Sequence, residues 1–109
     1  MKLPTGWVLA TVLCALPGIA GAQDAGAAEA LIKKSGCMTC HSVSAKKVGP
    51  SFKDVAARYK GKPDAEQKLV AHLTTNPKIK IDGKEESHDS LKTKNDAEVK
   101  NAVQYILTR

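Results

Sequence analysis

The chain has 109 residues, a formal charge of +6 and four aromatic side chains, one of them Trp7. That length admits one small domain rather than several. The basic balance invites an acidic partner, but so few aromatics leave little to stack on bases, which argues against nucleic-acid binding.

Residues 1–22 do not read as part of the domain. Lys2 gives a positive start, residues 7–16 are apolar and uncharged, Pro17-Gly18 break the run, and Ala20-Gly21-Ala22 fits a small-x-small cleavage rule. This is the pattern of a secretory signal peptide cut before Gln23. The apolar run is about half of the roughly 20 residues a spanning helix needs, so no stable membrane insertion is expected after cleavage. Bulky Leu13 before Cys14 argues against a lipid anchor there. Removing 22 of 109 residues leaves 87, the domain over 23–109, with a charge of +5 because Lys2 is the only charge lost. Cys14 goes too, leaving Cys37 and Cys40. The periplasm permits disulfides, yet a bridge inside four residues constrains little of the chain.

Within the domain the periodicity is helical and short. Residues 24–35 place Ala28, Leu31 and Ile32 on one face, with Asp24 as N-cap and Gly36 as stop. A loop over 42–51 follows. Phe52, Val55, Ala56 and Tyr59 keep the i, i+3, i+4, i+7 rule, and Gly61 ends that helix. Asp64 is placed to cap a third helix to about Thr75, with Leu69 and Leu73 inward and Pro77 closing it. Residues 77–94 form a long loop. Lys78 to Ile81 alternates too briefly to be taken as a strand and is expected to lie as loop over something apolar. A structureless stretch that long is usually functional or misassigned. Asn95 and Glu98 make a capping-box-like start to the last helix, whose apolar face is Val99, Ala102, Val103 and Ile106. The expected fold is all-α, four or so short helices. With one Phe, two Tyr and no Trp after residue 22, its core is thin, and domains of this size often rely on a staple or a buried cofactor.

The stretch GCMTCHS, residues 36–42, carries the chemistry. A zinc site wants four ligands, but no second cysteine pair exists, and His72 and His88 are 16 residues apart. A redox dithiol wants a strand before the first cysteine; a helix precedes Cys37. What remains is covalent haem attachment, for which C-x-x-C-H is the signature. Cys37 and Cys40 add to the two vinyl groups of the porphyrin, and the His41 imidazole reaches the iron.

Three stretches, LIKKSGCMTCHS, KVGPSFKDVAARYKG and NDAEVKNAVQYIL, resemble the class I c-type cytochromes of the small bacterial monohaem type. The resemblance covers nearly all of residues 24–109. It implies one haem c wrapped by the helices, with the first and last helices crossed, Ala28, Leu31 and Ile32 against Ala102, Tyr105 and Ile106. It implies that the Pro50 carbonyl accepts a hydrogen bond from His41 Nδ1, fixing the tautomer and raising ligand basicity. His72 falls where a polar side chain often faces a haem propionate. Members usually supply a methionine sulfur as sixth ligand from the loop before the last helix. Here the only methionines are Met1 and Met38. His88 sits close to the expected position, so His41/His88 axial ligation is expected, with an open iron or a lysine such as Lys84 or Lys92 as the alternatives.

Imidazole in place of methionine favours ferric iron, so a lowered potential follows. The function implied is periplasmic electron transfer by a monomer, without an enzymatic activity of its own. Lys33, Lys34, Lys46 and Lys47 are placed to steer an acidic redox partner. The alternative is a gas-binding haem protein with a labile or absent sixth ligand, since few apolar residues anchor the His88 loop. A third reading is a subunit that passes electrons to a catalytic partner.

Overall fold

Asp24 opens the first helix: its carboxylate accepts the Ala27 N–H at 3.0 Å, and α1 spans Ala25–Lys34. The computed structural model describes residues 1–2 and 23–109, so the leader expected over 1–22 lies, apart from its first two residues, outside the described residues. Gly36 ends α1 as expected, and a 3₁₀ turn over Cys37–Thr39 follows at once. Among the described residues no helix is long and apolar enough to cross a membrane.

Helix α2 spans Phe52–Tyr59 and is capped by Ser51, whose buried hydroxyl accepts the Asp54 N–H at 3.1 Å. Helix α3 spans Ala65–Thr74. Asp64 stands at its N-cap position, but the expected side-chain cap is not made. The carboxylate pairs instead with Lys68, one turn on, at 3.0 Å. Residues i and i+4 share a helix face, and an ammonium donor outbids a neutral N–H for a carboxylate. Helix α4 spans Asp96–Leu107, with the Asn95 side chain accepting from Ala97 N–H at 2.9 Å and Glu98 N–H at 3.3 Å. The other half of the box closes through Thr93. Its hydroxyl donates to the Glu98 carboxylate and accepts from the Asn95 N–H at 3.1 Å.

The loop expected over 77–94 contains a β-hairpin, which corrects the reading of Lys78 to Ile81 as loop. Strand β1, Lys78–Ile81, pairs antiparallel with β2, Lys84–Ser87, placing Ile79 opposite Glu86 and Ile81 opposite Lys84. Asp82 and Gly83 take φ of 50° and 79°, the two left-handed positions of a type I′ turn. That turn fixes the register of strands too short to fix it themselves.

The core lies where α1 packs on α4, the pairing of first and last helices that the family resemblance implies. Ala28 is 1% exposed and Ala102 0%, so two small side chains let the backbones approach. Ile32, Val103 and Ile106 pack around them, and α2 and α3 also rest on α4. The Asn101 amide ties the helices together: it accepts the Asp24 N–H at 2.9 Å and donates to the Asp24 carbonyl at 2.8 Å. Buried Tyr105 donates its hydroxyl to Glu29 Oε1 at 3.0 Å, beneath the Arg109 guanidinium, 3.9 Å from the ring centre. The α2 face behaves differently. Phe52 is buried, but Val55, Ala56 and Tyr59 are only half-buried; Val55 and Tyr59 look into a cleft.

Burial, and then Glu29, pushes the Tyr105 phenol above its ordinary value of 10.0. A proton held more tightly in the folded chain lends stability that is whole below pH 10 and is lost as pH rises from there towards the raised folded value. Tyr105→Phe is expected to cost about 1–2 kcal/mol near neutrality, the scale of a lost hydrogen bond to a charged group. It also removes this part of the alkaline loss, which denaturant midpoints measured at about pH 7 and about pH 11 will show.

Candidate haem-binding site

The end of α1 delivers the motif. The turn over Cys37–Thr39 folds the chain so that the Cys40 and His41 N–H groups both reach the Cys37 carbonyl, at 3.2 and 3.0 Å. Cys37 and Cys40 are free thiols, each half-buried. Burial pushes the Cys37 thiol up from its ordinary value, with Asp89 and Cys40 adding to the rise.

His41 is held from behind. Its Nδ1–H donates to the Pro50 carbonyl at 2.7 Å, as the resemblance implies, and its ring stacks on Phe52 with centroids 5.7 Å apart. The bond consumes Nδ1 and leaves Nε2 as the lone-pair nitrogen. The loop that carries Pro50 is fixed in turn: Gly49 N–H donates to the Cys40 carbonyl at 2.8 Å, and Phe52 N–H to the Ser42 carbonyl at 2.9 Å. Lys47 Nζ donates to the Met38 carbonyl at 2.8 Å, across the same loop.

All six residues singled out in the sequence, Cys37, Cys40, His41, Pro50, His72 and His88, line one cleft of about 620 Å³. Its other walls are the half-buried face of α2 and the β-hairpin, which contributes Ile79 and Ile81. His88 follows β2 directly. Its N–H donates to the Pro77 carbonyl at 2.8 Å, and Asn76 Nδ2 donates to its carbonyl at 3.0 Å, so the main chain there continues the hairpin ladder. The His41 and His88 ring centroids lie 6.1 Å apart. His72, from α3, packs on His88 at 4.4 Å. Burial pushes both His72 and His88 down from their ordinary value; for His72 the neighbouring histidines add to it, and for His88 the Asp89 main chain acts against it. Both imidazoles are therefore biased to the neutral form that binds metal. Met38 is partly buried against the core and does not line the cleft.

Two sets of residues escaped the sequence reading. Gly49 is one: a Cβ there would stand 2.5 Å from His41 Cε1 and 2.9 Å from Nδ1. Its signal was the Gly-Pro pair, of which only the proline had a role. Arg58, Lys62, Lys68 and Lys80 are the other, four cations on the cleft wall, from α2, the α2–α3 connection, α3 and β1. No local pattern announces them.

A model of the cytochrome c family matches residues 25–109, and the chain belongs to that family. It is similar to cytochrome c-552 of Hydrogenobacter thermophilus, 45% identical over 62 residues, 57% of this chain and 61% of that protein. It is similar to cytochrome c-551 of Allochromatium vinosum, 56% identical over 43 residues, 39% of this chain and 46% of that one. The matches thus span about half to three fifths of the length of these curated relatives. Among solved structures it resembles the class 1 cytochrome MtoD from Sideroxydans lithotrophicus, with TM-score 0.75 and 44% identity over 80% of this chain and 97% of the other. The fold is that of a class I c-type cytochrome, and the cofactor of the family is one covalently attached haem c.

The residues present fit that group. Two imidazoles bound to opposite faces of one metal ion by bonds of about 2 Å have ring centres about 6 Å apart, which the His41–His88 spacing of 6.1 Å matches. Among the described residues the buried His88 Nδ1 makes no hydrogen bond of ordinary geometry, and nothing covers the apolar half-exposed wall of α2. Gly49→Ala is expected to dislodge the His41 ring and break its bond to Pro50. The variant should mature with less haem per chain than wild type and a shifted visible spectrum; haem content against protein concentration measures it.

Proposed function

We propose that this chain is a periplasmic monohaem electron carrier with histidine on both faces of the iron and a lowered potential. The observation that carries this is the pair His41 and His88, with ring centroids 6.1 Å apart in a cleft that Cys37 and Cys40 also line. In this reading Cys37 and Cys40 form the thioethers, and His41 and His88 are the axial ligands. The bound group supplies one-electron chemistry between ferric and ferrous states. Pro50 holds the His41 tautomer and makes its imidazole a better donor. The absence of methionine beyond Met1 and Met38 supports the assignment of His88, because Met38 is confined between the two cysteines. His72 faces a haem propionate, where Arg58 and Lys62 on the cleft wall add to the attraction.

The protein's task is to hold both ligands still while an electron passes, and it is a carrier rather than an enzyme. Residues 1–22 act as a signal peptide and are removed, leaving 23–109 as a monomeric periplasmic domain. Lys33, Lys34, Lys46 and Lys47 are exposed on the segments flanking the cysteine motif. They steer an acidic docking patch on a redox partner into a brief, salt-sensitive encounter. Lys47 is anchored to Met38, so its charge is fixed beside the thioether edge.

Spectroelectrochemical titration tests the ligand assignment. His88→Met is expected to raise the midpoint potential by about a tenth of a volt or more, within the roughly 0.8 V that axial ligands span. An unmoved potential removes His88 from the iron.

A further inference from the structure

Three imidazoles, not two, enter the cleft. His72 lies against His88 with ring centroids 4.4 Å apart and planes at 53°. Both line the same cleft as His41 and the two cysteines. Among the described residues no hydrogen bond reaches the His72 ring, which is half-buried beside His88. Apart from the propionate proposed above, nothing among these residues holds its nitrogens.

The two side chains are mounted very differently. His72 sits in α3 between Leu69 and Leu73, which are 4% and 7% exposed and lock that helix onto the core. His88 sits at the foot of a hairpin whose second strand is exposed at every position and whose first buries only Ile79 and Ile81, and those by half. Its anchors are main-chain hydrogen bonds to Pro77 and Asn76. Segments with exposed hydrogen bonds and few apolar contacts open at the least cost. The ligand on the mobile mount therefore has, in ring contact, a chemically identical donor on the rigid one.

We propose that His72 is a reserve axial ligand: when His88 leaves the iron, the His72 imidazole moves into the place it vacates. This rests on the His41/His88 reading above. The exchange is balanced within itself. One iron–nitrogen bond to His88 breaks, one to His72 forms, each neutral imidazole contributes a lone pair, and no proton or electron is gained or lost. A tethered donor competes at an effective concentration on the order of millimolar or more, so the site stays closed to small exogenous ligands while the hairpin is open. For a carrier this preserves reversible one-electron chemistry through a local opening.

The test compares the haem-loaded wild type with His88→Ala, His72→Ala and the double variant, by ferric optical spectrum and by carbon monoxide uptake after reduction. His72→Ala is expected to keep the six-coordinate low-spin state of wild type, because a propionate partner is not an iron ligand while His88 is bound, even where loss of that partner shifts the potential. His88→Ala is expected to stay six-coordinate and low-spin, with a changed potential, and to take up carbon monoxide at least about tenfold more slowly than the double variant, because the tethered His72 competes. The double variant is expected to become high-spin, and added imidazole to restore it, which shows that its cleft is intact. A high-spin His88→Ala that takes up carbon monoxide as fast as the double variant overturns the reserve role, while a low-spin wild type leaves His88 as its ligand. If instead His72→Ala alone perturbs the wild-type spectrum and His88→Ala does not, the assignment of His88 itself falls, and the reserve role with it.

Discussion

The 2.7 Å hydrogen bond from His41 Nδ1 to the Pro50 carbonyl decides which nitrogen of that imidazole is free. Around it the chain is built as a bracket. The turn after α1 presents His41 together with both cysteines, the Cys40 carbonyl fixes Gly49, and Gly49 has no side chain because His41 fills the space one would need. Ser51 then caps α2 and Phe52 closes on the back of the ring. Moving any of these moves the imidazole, and a displacement of a few tenths of an ångström is large against a coordination bond of about 2 Å.

The opposite wall is made by other means. His88 is positioned by a two-stranded hairpin that contributes little to the core. The packing of α1 on α4 is dry and tight, while Val55, Tyr59, Ile79 and Ile81 stay half-exposed towards the cleft. Such a protein completes its apolar core with its cofactor, as a domain this small with this few aromatics requires. The rigid and the loosely mounted halves also divide the labour. The turn after α1 carries Cys37, Cys40 and His41, and His88 follows directly on the hairpin.

Much of this was legible because it is local. The cysteine motif, the Asp24 and Asn95 caps and the α4 stripe each lie within a few consecutive residues, so their geometry follows from one turn of backbone. The packing of α1 on α4 was legible only through the family pattern. The hairpin was not read, although Asp82-Gly83 between short runs is its turn signal. Its second strand is charged and is exposed throughout, and the Lys-Ile-Lys-Ile alternation of the first lasts only four residues, too few to mark a strand alone. Asp64 was misjudged because a cap and an i, i+4 ion pair compete for one carboxylate, and sequence alone does not say which wins. The contact of His72 with His88 and the cationic cleft wall are invisible to any local rule. Each joins residues from separate elements that only the folded chain brings together.

The central claim is that imidazole nitrogen binds the iron from both faces. A low-temperature electron paramagnetic resonance spectrum of the ferric holoprotein tests it most directly. Imidazole on both faces gives a low-spin signal of the bis-imidazole type and no high-spin component. A dominant high-spin signal, with an open or water-bound position at rest, would contradict it.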